Sequence, residues 1–462
     1  MAAGVSVVPL ATSLSAGAIV AALLGAAVVI AVLVVIMRRY AEAFPLLAIL
    51  ALPFRLPISA DGRTVNLLIP LYLVVAAGVL AHLLPRLLRR EEPALGALEW
   101  LLLASVALYA VQALYSHDKA KAGENLAFFY VPFALLFLLL RDVRWTPELL
   151  LRCFAVAVGL AVVFAGIGFV EYARKELFLN PKVVSANQYD NYFRVNSLFF
   201  DPNIYGRFLA LVMIALTTIV LWRRKRRDVL IAALVLLWLL AGLVTSFSQS
   251  SIAALLLGLA VLAAYRWSAR ATVYVAAGVV VLALLVVLLA PASLHFGLKG
   301  DSGSTQNATN GRTKLIEGGL ELFGKRPFEG YGSGSFQREY EVHSKTGAEN
   351  ATSASHTIPV TVAAEQGIVG LALYVALLIV AFVTLFKSAG RSPPRIAIVA
   401  CFSALVLHTF AYADFLEDPL TWTLLGIGLA LARADGEADA LAWLLRRRAE
   451  PRVAPASAAA TE

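Results

Sequence analysis

Four side chains in this sequence stand where chemistry on an amphiphile could be done: Arg194, Arg207, Arg312 and His356. Arg194, Arg207 and His356 lie near the ends of long apolar runs, where water meets lipid headgroups, and Arg312 opens a short amphipathic run between two of them. A guanidinium presents a planar fork that suits a pair of phosphate oxygens better than an ammonium does. A histidine titrates near neutrality and can accept a proton from a hydroxyl. Each residue also has a plainer reading. Arg194 reads equally as a loop arginine paired to Asp190 or Asp201, and Asp201-Pro202 as a helix N-cap followed by a first-turn proline. Arg207 lies a few residues inside an apolar run, where a charge must find a partner, reach an aqueous cavity or snorkel to the interface. A lone histidine is most often structural.

Arg312 and His356 belong to a polar stretch, Pro291 to Thr357, set between two apolar runs. Within it Leu315, Ile316, Gly319, Leu320 and Phe323 recur at helical spacing. This predicts a short amphipathic helix, with Arg312 in its first turn, lying on the membrane or capping the bundle. A glycine run follows, Gly330-Tyr331-Gly332-Ser333-Gly334, which reads either as an anion-accepting nest or simply as a tight turn. Glu365 lies nine residues beyond His356. On an unbroken helix that is about 13 Å deeper and on the opposite face, so Glu365 is expected to bond a neighbouring helix rather than His356.

The elements that position these residues are membrane spans. Of 462 residues 60% are hydrophobic and only 15% charged, and runs near twenty apolar residues recur, the length that crosses ~30 Å of hydrocarbon. Alternating ten-residue strands are absent, so the expected fold is all-α, a polytopic membrane protein. The net charge of +9 gathers in short loops between spans, which is the positive-inside pattern and no nucleic-acid footprint. Cys153 and Cys401 fall inside apolar runs and imply neither a disulfide nor a thiolate metal site.

Thirteen spans follow, with the N-terminus outside, or twelve if Ala43 to Ile58 fails to cross. That short run carries Pro45, Pro53, Arg55 and Pro57, so its tail is expected to be broken or interfacial. Basic loops at Arg86 to Arg90, Arg223 to Arg227 and Lys387 to Arg395 mark the cytoplasm. They leave Glu171 to Asn203 and Pro291 to Thr357 outside. Both outer loops have balanced charge, four of each sign in the first and seven of each in the second, so neither is a polybasic anchor. The expected organisation is residues 1–290 as ten spans with the 171–203 loop, 291–357 as an outer lid, 358–432 as the last spans and 433–462 as a cytoplasmic tail. No cluster has metal-ligand spacing and no nucleotide-binding loop is present, so no metal and no cofactor are expected.

Several of these stretches resemble one family. They are Gly311-Arg312, Arg326-Pro327-Phe328-Glu329-Gly330-Tyr331-Gly332-Ser333-Gly334-Ser335-Phe336, and His356 ahead of Glu365-Gln366-Gly367-Ile368-Val369-Gly370. Together with Arg194, Asp201-Pro202-Asn203 and Ser116-His117-Asp118, they resemble the O-antigen ligase and polymerase superfamily of bacterial membrane proteins. The resemblance implies a GT-C-like glycosyltransferase in the inner membrane, its site on the outer face. It would take a glycan from undecaprenyl diphosphate and pass it to an acceptor hydroxyl, either lipid A core (ligase) or a second lipid-linked glycan (polymerase). It further implies that Arg194 and Arg312 hold the diphosphate and that His356 is the base or positions the acceptor. Arg207, Gln249, Tyr331, Gly332 and His343 are assigned to the diphosphate and glycan.

Two departures stand out. Ser248-Gln249 replaces the family's usual Ser-Arg, leaving Arg207 to supply that cation, and Leu315 and Ile316 stand where a tryptophan is common. The rival reading from another class is a transporter or flippase of lipid-linked glycan, suggested only by the number of spans. A third is a scaffold for a glycan assembly complex.

Overall fold

A backbone in hydrocarbon has no partner but itself, and among the described residues helices form at most of the expected apolar runs. The computed structural model describes residues 16–60, 63–90, 95–179, 193–223, 225–274, 312–343, 355, 357–387, 389–412 and 414–434. His356, most of the 272–290 run and the tail beyond 434 lie outside the described residues. The first half contains α1 (Ala16–Arg39), α2 (Ala43–Ala51), a hairpin of β1 (Leu56–Ala60) and β2 (Arg63–Leu67), and α3 (Ile69–Leu88). Next come α4 (Ala97–Ala113), α5 (Lys119–Arg141), α6 (Pro147–Arg174) and α7 (Pro202–Trp222). The second half contains α8 (Arg226–Thr245), α9 (Gln249–Arg266), α10 (Arg312–Lys325), α11 (Phe336–His343), α12 (Ile358–Phe386), α13 (Pro393–Thr409) and α14 (Pro419–Ala434). Among the described residues eight helices are long and apolar enough to cross a membrane, and α4, α13 and α14 are shorter apolar helices at three further expected spans. The chain is a polytopic membrane protein.

The local signals act as their chemistry requires. Asp201 caps α7 by accepting from the Asn203 amide at 2.6 Å, with Pro202 in the first turn. Thr146 caps α6 in the same way. Inside α3 and α5, π-turns at Val79–Leu83 and Leu126–Tyr130 immediately precede the turns that hold Pro85 and Pro132. The wider turn absorbs the missing amide and the ring clash of each proline.

The stretch around Pro53 departs from the all-helical expectation. Glu42 pairs with Arg152 near the start of α6, and Phe54 stacks edge-on with Phe164, twelve residues further along that helix. The segment therefore climbs α6 as helix α2 and then continues as strand. Pro53 and Pro57 deny amides to a helix, and β1 pairs β2 in register from Leu56 with Leu67 to Ala60 with Arg63. Asp61-Gly62 between two short alternating runs is the signal that could have announced a hairpin.

One end of the bundle gathers basic helix ends. There Arg38 donates to the Leu80 carbonyl (3.2 Å), Arg86 pairs with Asp142 (2.7 Å), and buried Glu99 binds both Arg141 (2.7 Å) and Arg433, tying α4, α5 and α14 together. α7 is the central helix. Its apolar window is 72% buried against 6% for α1.

The other end carries the lid. α10 begins at Arg312 and packs on α12, Gly319 against Val360, so it caps the bundle. Between α10 and α11 the glycine turn docks on a kink in α12 at Gly367 (φ 65°). The Ile368 amide donates to the Pro327 carbonyl (2.7 Å), and the Tyr331 and Gly332 amides donate to the carbonyls of Ala364 (3.2 Å) and Glu365 (2.8 Å). The Glu365 carboxylate accepts from Gly334 (2.8 Å) and from Phe336, the first residue of α11 (3.0 Å). Glu365 thus bonds the glycine turn and the start of the neighbouring helix α11.

Gly330 has φ 66°, and a Cβ there would collide with the Glu365 carbonyl oxygen. Gly330→Ala should therefore destabilise the protein by more than about 1 kcal/mol. Gly25→Ala on α1, where a Cβ meets nothing within 4 Å, should be neutral or slightly stabilising. Thermal unfolding of the two variants in detergent compares them directly.

Candidate active site

The lid end of α7 is built around Asn203. Its side-chain carbonyl accepts from Ser248 Oγ (2.8 Å) and from Arg194 Nη2 (3.3 Å), and Arg194 Nε also donates to the Ser246 carbonyl (3.1 Å). Ser248 caps α9, its Oγ lies 2.7 Å from Ser251 Oγ, and Ser251 donates to the Asn203 carbonyl (3.2 Å). His408 Nε2, from α13, lies 3.2 Å from the hydroxyls of both Ser250 and Ser251. A buried belt of hydroxyls thereby joins α7, α9 and α13. Such a belt is stable because each oxygen both donates and accepts.

One turn deeper stands Arg207, on the same face of α7 as Asn203. It is 1% exposed and its Nη2 lies 2.8 Å from Asp418 Oδ2, itself 2% exposed. Sequence left three outcomes open for this residue, and the structure selects the partner over the snorkel. Arg207 Nε and Nη1 are buried with no hydrogen-bond partner among the described residues. Its guanidinium carbon sits 5.8 Å from the centre of the Tyr412 ring. Burial pushes the Asp418 carboxyl up and Arg207 opposes the shift, while the Leu420 amide donates to Asp418 Oδ1 (3.0 Å). Burial also holds the Tyr412 hydroxyl well above its ordinary range, so it stays protonated. Arg55, just ahead of β1, acts electrostatically on both Tyr412 and Asp418. Arg207 and Arg55 thus both act on the corner where α7, α13 and α14 meet, one turn from the Asn203 that Arg194 holds.

His356 lies outside the described residues, and its neighbours Ser355 and Thr357 do not. Ser355 Oγ is 2.9 Å from Thr361 Oγ1 and receives the Thr357 amide (3.2 Å), while Thr357 Oγ1 donates to the Phe410 carbonyl (3.1 Å). The residues on either side of His356 are thus fixed to the corner that carries Tyr412, two residues beyond Phe410.

Tyr331, Gly332 and His343 gather elsewhere, beside His117. The Tyr331 ring packs edge-on against His117 (5.6 Å) and His343 (5.7 Å), and Arg326 lies over it at 4.7 Å. His117 Nδ1 is 2.7 Å from Glu339 Oε1, and His343 Nδ1 is 2.9 Å from the Glu339 carbonyl. The amide of Gly332 is held by Glu365, so the glycine run here is a docking turn. Gln249 is exposed on the first turn of α9, between buried Ser248 and Ser250.

Comparison with protein families decides what the lid belongs to. A family model described as O-Antigen ligase matches residues 234–375. Those residues are an O-antigen ligase family domain. No curated protein matches the chain. The family covers O-antigen ligases and polymerases, membrane enzymes that transfer glycans. The O-antigen ligase domain runs from within α8 to within α12. It contains Gln249, Arg312, Tyr331, Gly332, His343 and His356, whereas Arg194, Arg207, His408 and Asp418 lie outside it. The hydroxyl belt joins this domain, through Ser248, Ser250 and Ser251, to Asn203, Arg194 and His408.

Sequence reasoning missed His408, Tyr412, Asp418 and Arg55. A polar residue within an apolar run was the available signal for His408. Asp418 ahead of Pro419 reads only as a cap, and nothing local ties it to Arg207.

Removing one partner of the Arg207–Asp418 pair leaves a buried, uncompensated charge. Arg207→Ala or Asp418→Ala should each cost about 3–5 kcal/mol of stability, and an Arg207→Met/Asp418→Leu double variant should recover most of it. Unfolding midpoints of the three proteins test this. Additive losses in the double variant would mean that the pair is not coupled.

Proposed function

We propose that the protein transfers a glycan from undecaprenyl diphosphate to an acceptor hydroxyl at the outer face of the inner membrane, as an O-antigen ligase with lipid A core as acceptor. The O-antigen ligase domain carries this reading, supported by the buried arginine corner next to it. The acceptor oxygen attacks the anomeric carbon, the bond from that carbon to the diphosphate oxygen breaks, and the configuration inverts. The acceptor proton passes to His356. The lipid diphosphate leaves with its charge met by Arg194, Arg207 and Arg312. Guanidinium groups suit this task, because a leaving diphosphate accumulates charge that fixed donors must neutralise. The donor itself carries the energy, so neither nucleotide nor metal is required. Gln249 lies at the mouth, and Tyr331, Gly332 and His343 belong to the lid that receives the glycan.

Arg312→Ala and His356→Ala should each lower transfer at least about 100-fold at normal protein levels. Full activity in either variant overturns the assignment of that residue, and strong inhibition by a chelator overturns the metal-free scheme. The acceptor is decided by incubating purified protein with donor alone and then with lipid A core. Product only in the presence of core supports the ligase, and chain growth on donor alone identifies a polymerase.

A further inference from the structure

At the basic end of the bundle, opposite the lid, a pocket of about 400 Å³ opens where α2 and α6 begin and α3 and α5 end. One side of it is apolar, formed by Phe44, Leu83, Leu138, Leu139 and Leu149. The other side carries Glu42, His82, Arg86, Asp142, Arg144 and Thr146. The charges on that side do not cancel. Both lining carboxylates are already met, Asp142 by Arg86 (2.7 Å) and by Arg141 Nε (3.3 Å), and Glu42 by Arg152. Arg144 is exposed and has neither an ion pair nor a hydrogen bond among the described residues. Arg38, from the end of α1, donates to the Leu80 carbonyl (3.2 Å) and lies, like Arg86, within electrostatic range of His82. The start of α6 adds to this excess. Thr146 accepts from the Leu149 amide (3.2 Å), both residues line the pocket, and the first turn of a 28-residue helix carries partial positive charge.

We propose that this pocket binds the phosphodiester headgroup of an anionic phospholipid, phosphatidylglycerol or cardiolipin, from the leaflet at the basic end. The proposal goes beyond glycan transfer and does not depend on it. Position and shape favour a lipid over a free anion, because the pocket lies where span ends meet headgroups and half of its wall is apolar, suited to a glycerol and the first methylenes of its chains. Size agrees, since small-ligand sites run from ~300 to ~1,000 Å³, enough here for a headgroup whose chains remain in the bilayer. Charge favours an anionic over a zwitterionic headgroup. An ammonium would find both carboxylates taken and would face Arg144 and Arg38 instead, whereas a phosphodiester meets the uncompensated guanidinium of Arg144 beside the α6 N-terminus. A lipid seated there holds the ends of four helices together, and a ligand that binds only the folded state stabilises it by mass action.

The test uses the full-length protein in detergent, with lipid retention read by native mass spectrometry and stability by thermal unfolding. Added phosphatidylglycerol should remain as a bound adduct and raise the unfolding temperature, and phosphatidylcholine, phosphatidylethanolamine and inorganic phosphate at equal concentration should do neither. Arg144→Gln should weaken phosphatidylglycerol retention about fivefold, the effect of one arginine beside an anionic lipid. Leu83→Trp, which fills the pocket without touching a charge, should displace the adduct as well. Arg270→Gln should retain it unchanged, because Arg270 is exposed at the same end, one turn beyond the Arg266 that donates to the Leu221 carbonyl (3.2 Å), and is not in the pocket wall. Unchanged retention in both Arg144→Gln and Leu83→Trp overturns the proposal. So does an equal loss in Arg270→Gln, which would mean general attraction to a basic surface. Equal retention of a zwitterionic lipid overturns the anionic assignment, and equal stabilisation by inorganic phosphate makes this a free-anion site and overturns the lipid.

Discussion

The lid depends on one interaction, the seating of the glycine turn on the Gly367 kink. Gly330 and Gly367 face each other with positive φ, each so close to the other's chain that a Cβ on either would strike a backbone carbonyl. This approach lets the Pro327 carbonyl reach the Ile368 amide and brings two lid amides to the Glu365 carboxylate. A carboxylate buried against amides is a strong clamp, since each bond is charge-assisted and neither partner has water to turn to. The same contact fixes α11, hence Glu339, hence the ring of His117 on the far side of the turn. The start of α12 is anchored separately through Thr357 and Phe410. The kink sets the lid's depth, and the Thr357 anchor sets where the residues beside His356 enter the corner.

This clamp bears on the chemistry of an anion at the lid. The amides of Gly330, Gly332 and Gly334 are all taken, by the Arg326 carbonyl, the Glu365 carbonyl and the Glu365 carboxylate. They are therefore not available as a phosphate nest. Arg207 is held among apolar side chains by a single carboxylate. A buried ion pair of this kind is a poor stability device, because desolvation offsets most of the attraction. The binding role proposed above for Arg207 accords with this better than a role in folding does.

Most of the scaffold was legible in the sequence because hydrocarbon thickness imposes one length on every span and basic loops mark one end. The cap at Asp201-Pro202 and the start of α10 at Arg312 were legible for a local reason, since both are written in adjacent residues. The hairpin at Leu56–Leu67 was not read, although Asp61-Gly62 announces it, because an apolar run containing four interrupting residues still resembles a damaged span. The partners of Glu365, Arg207 and Arg194 were illegible for a different reason. Asp418 is 211 positions from Arg207, and the Ser246 carbonyl that receives Arg194 carries no side-chain signature at all. Such pairings exist only once helices have packed.

The division of the arginine corner between two parts of the chain follows from the packing. The O-antigen ligase domain supplies the serine belt at the start of α9, while Asn203 and Arg207 come from α7 and His408 from α13. α7 is the most buried span, and a polar group on such a helix must be satisfied by its neighbours or not at all. Ser248 and Ser251 meet that demand at Asn203, and Asp418 meets part of it at Arg207. A change in the serine turn would therefore reach Arg194 through Asn203 without touching any cation. The belt fixes Arg194 and the first turn of α7 relative to each other through Asn203, and Gln249, exposed in the middle of the serine run, stands outside that chain of bonds.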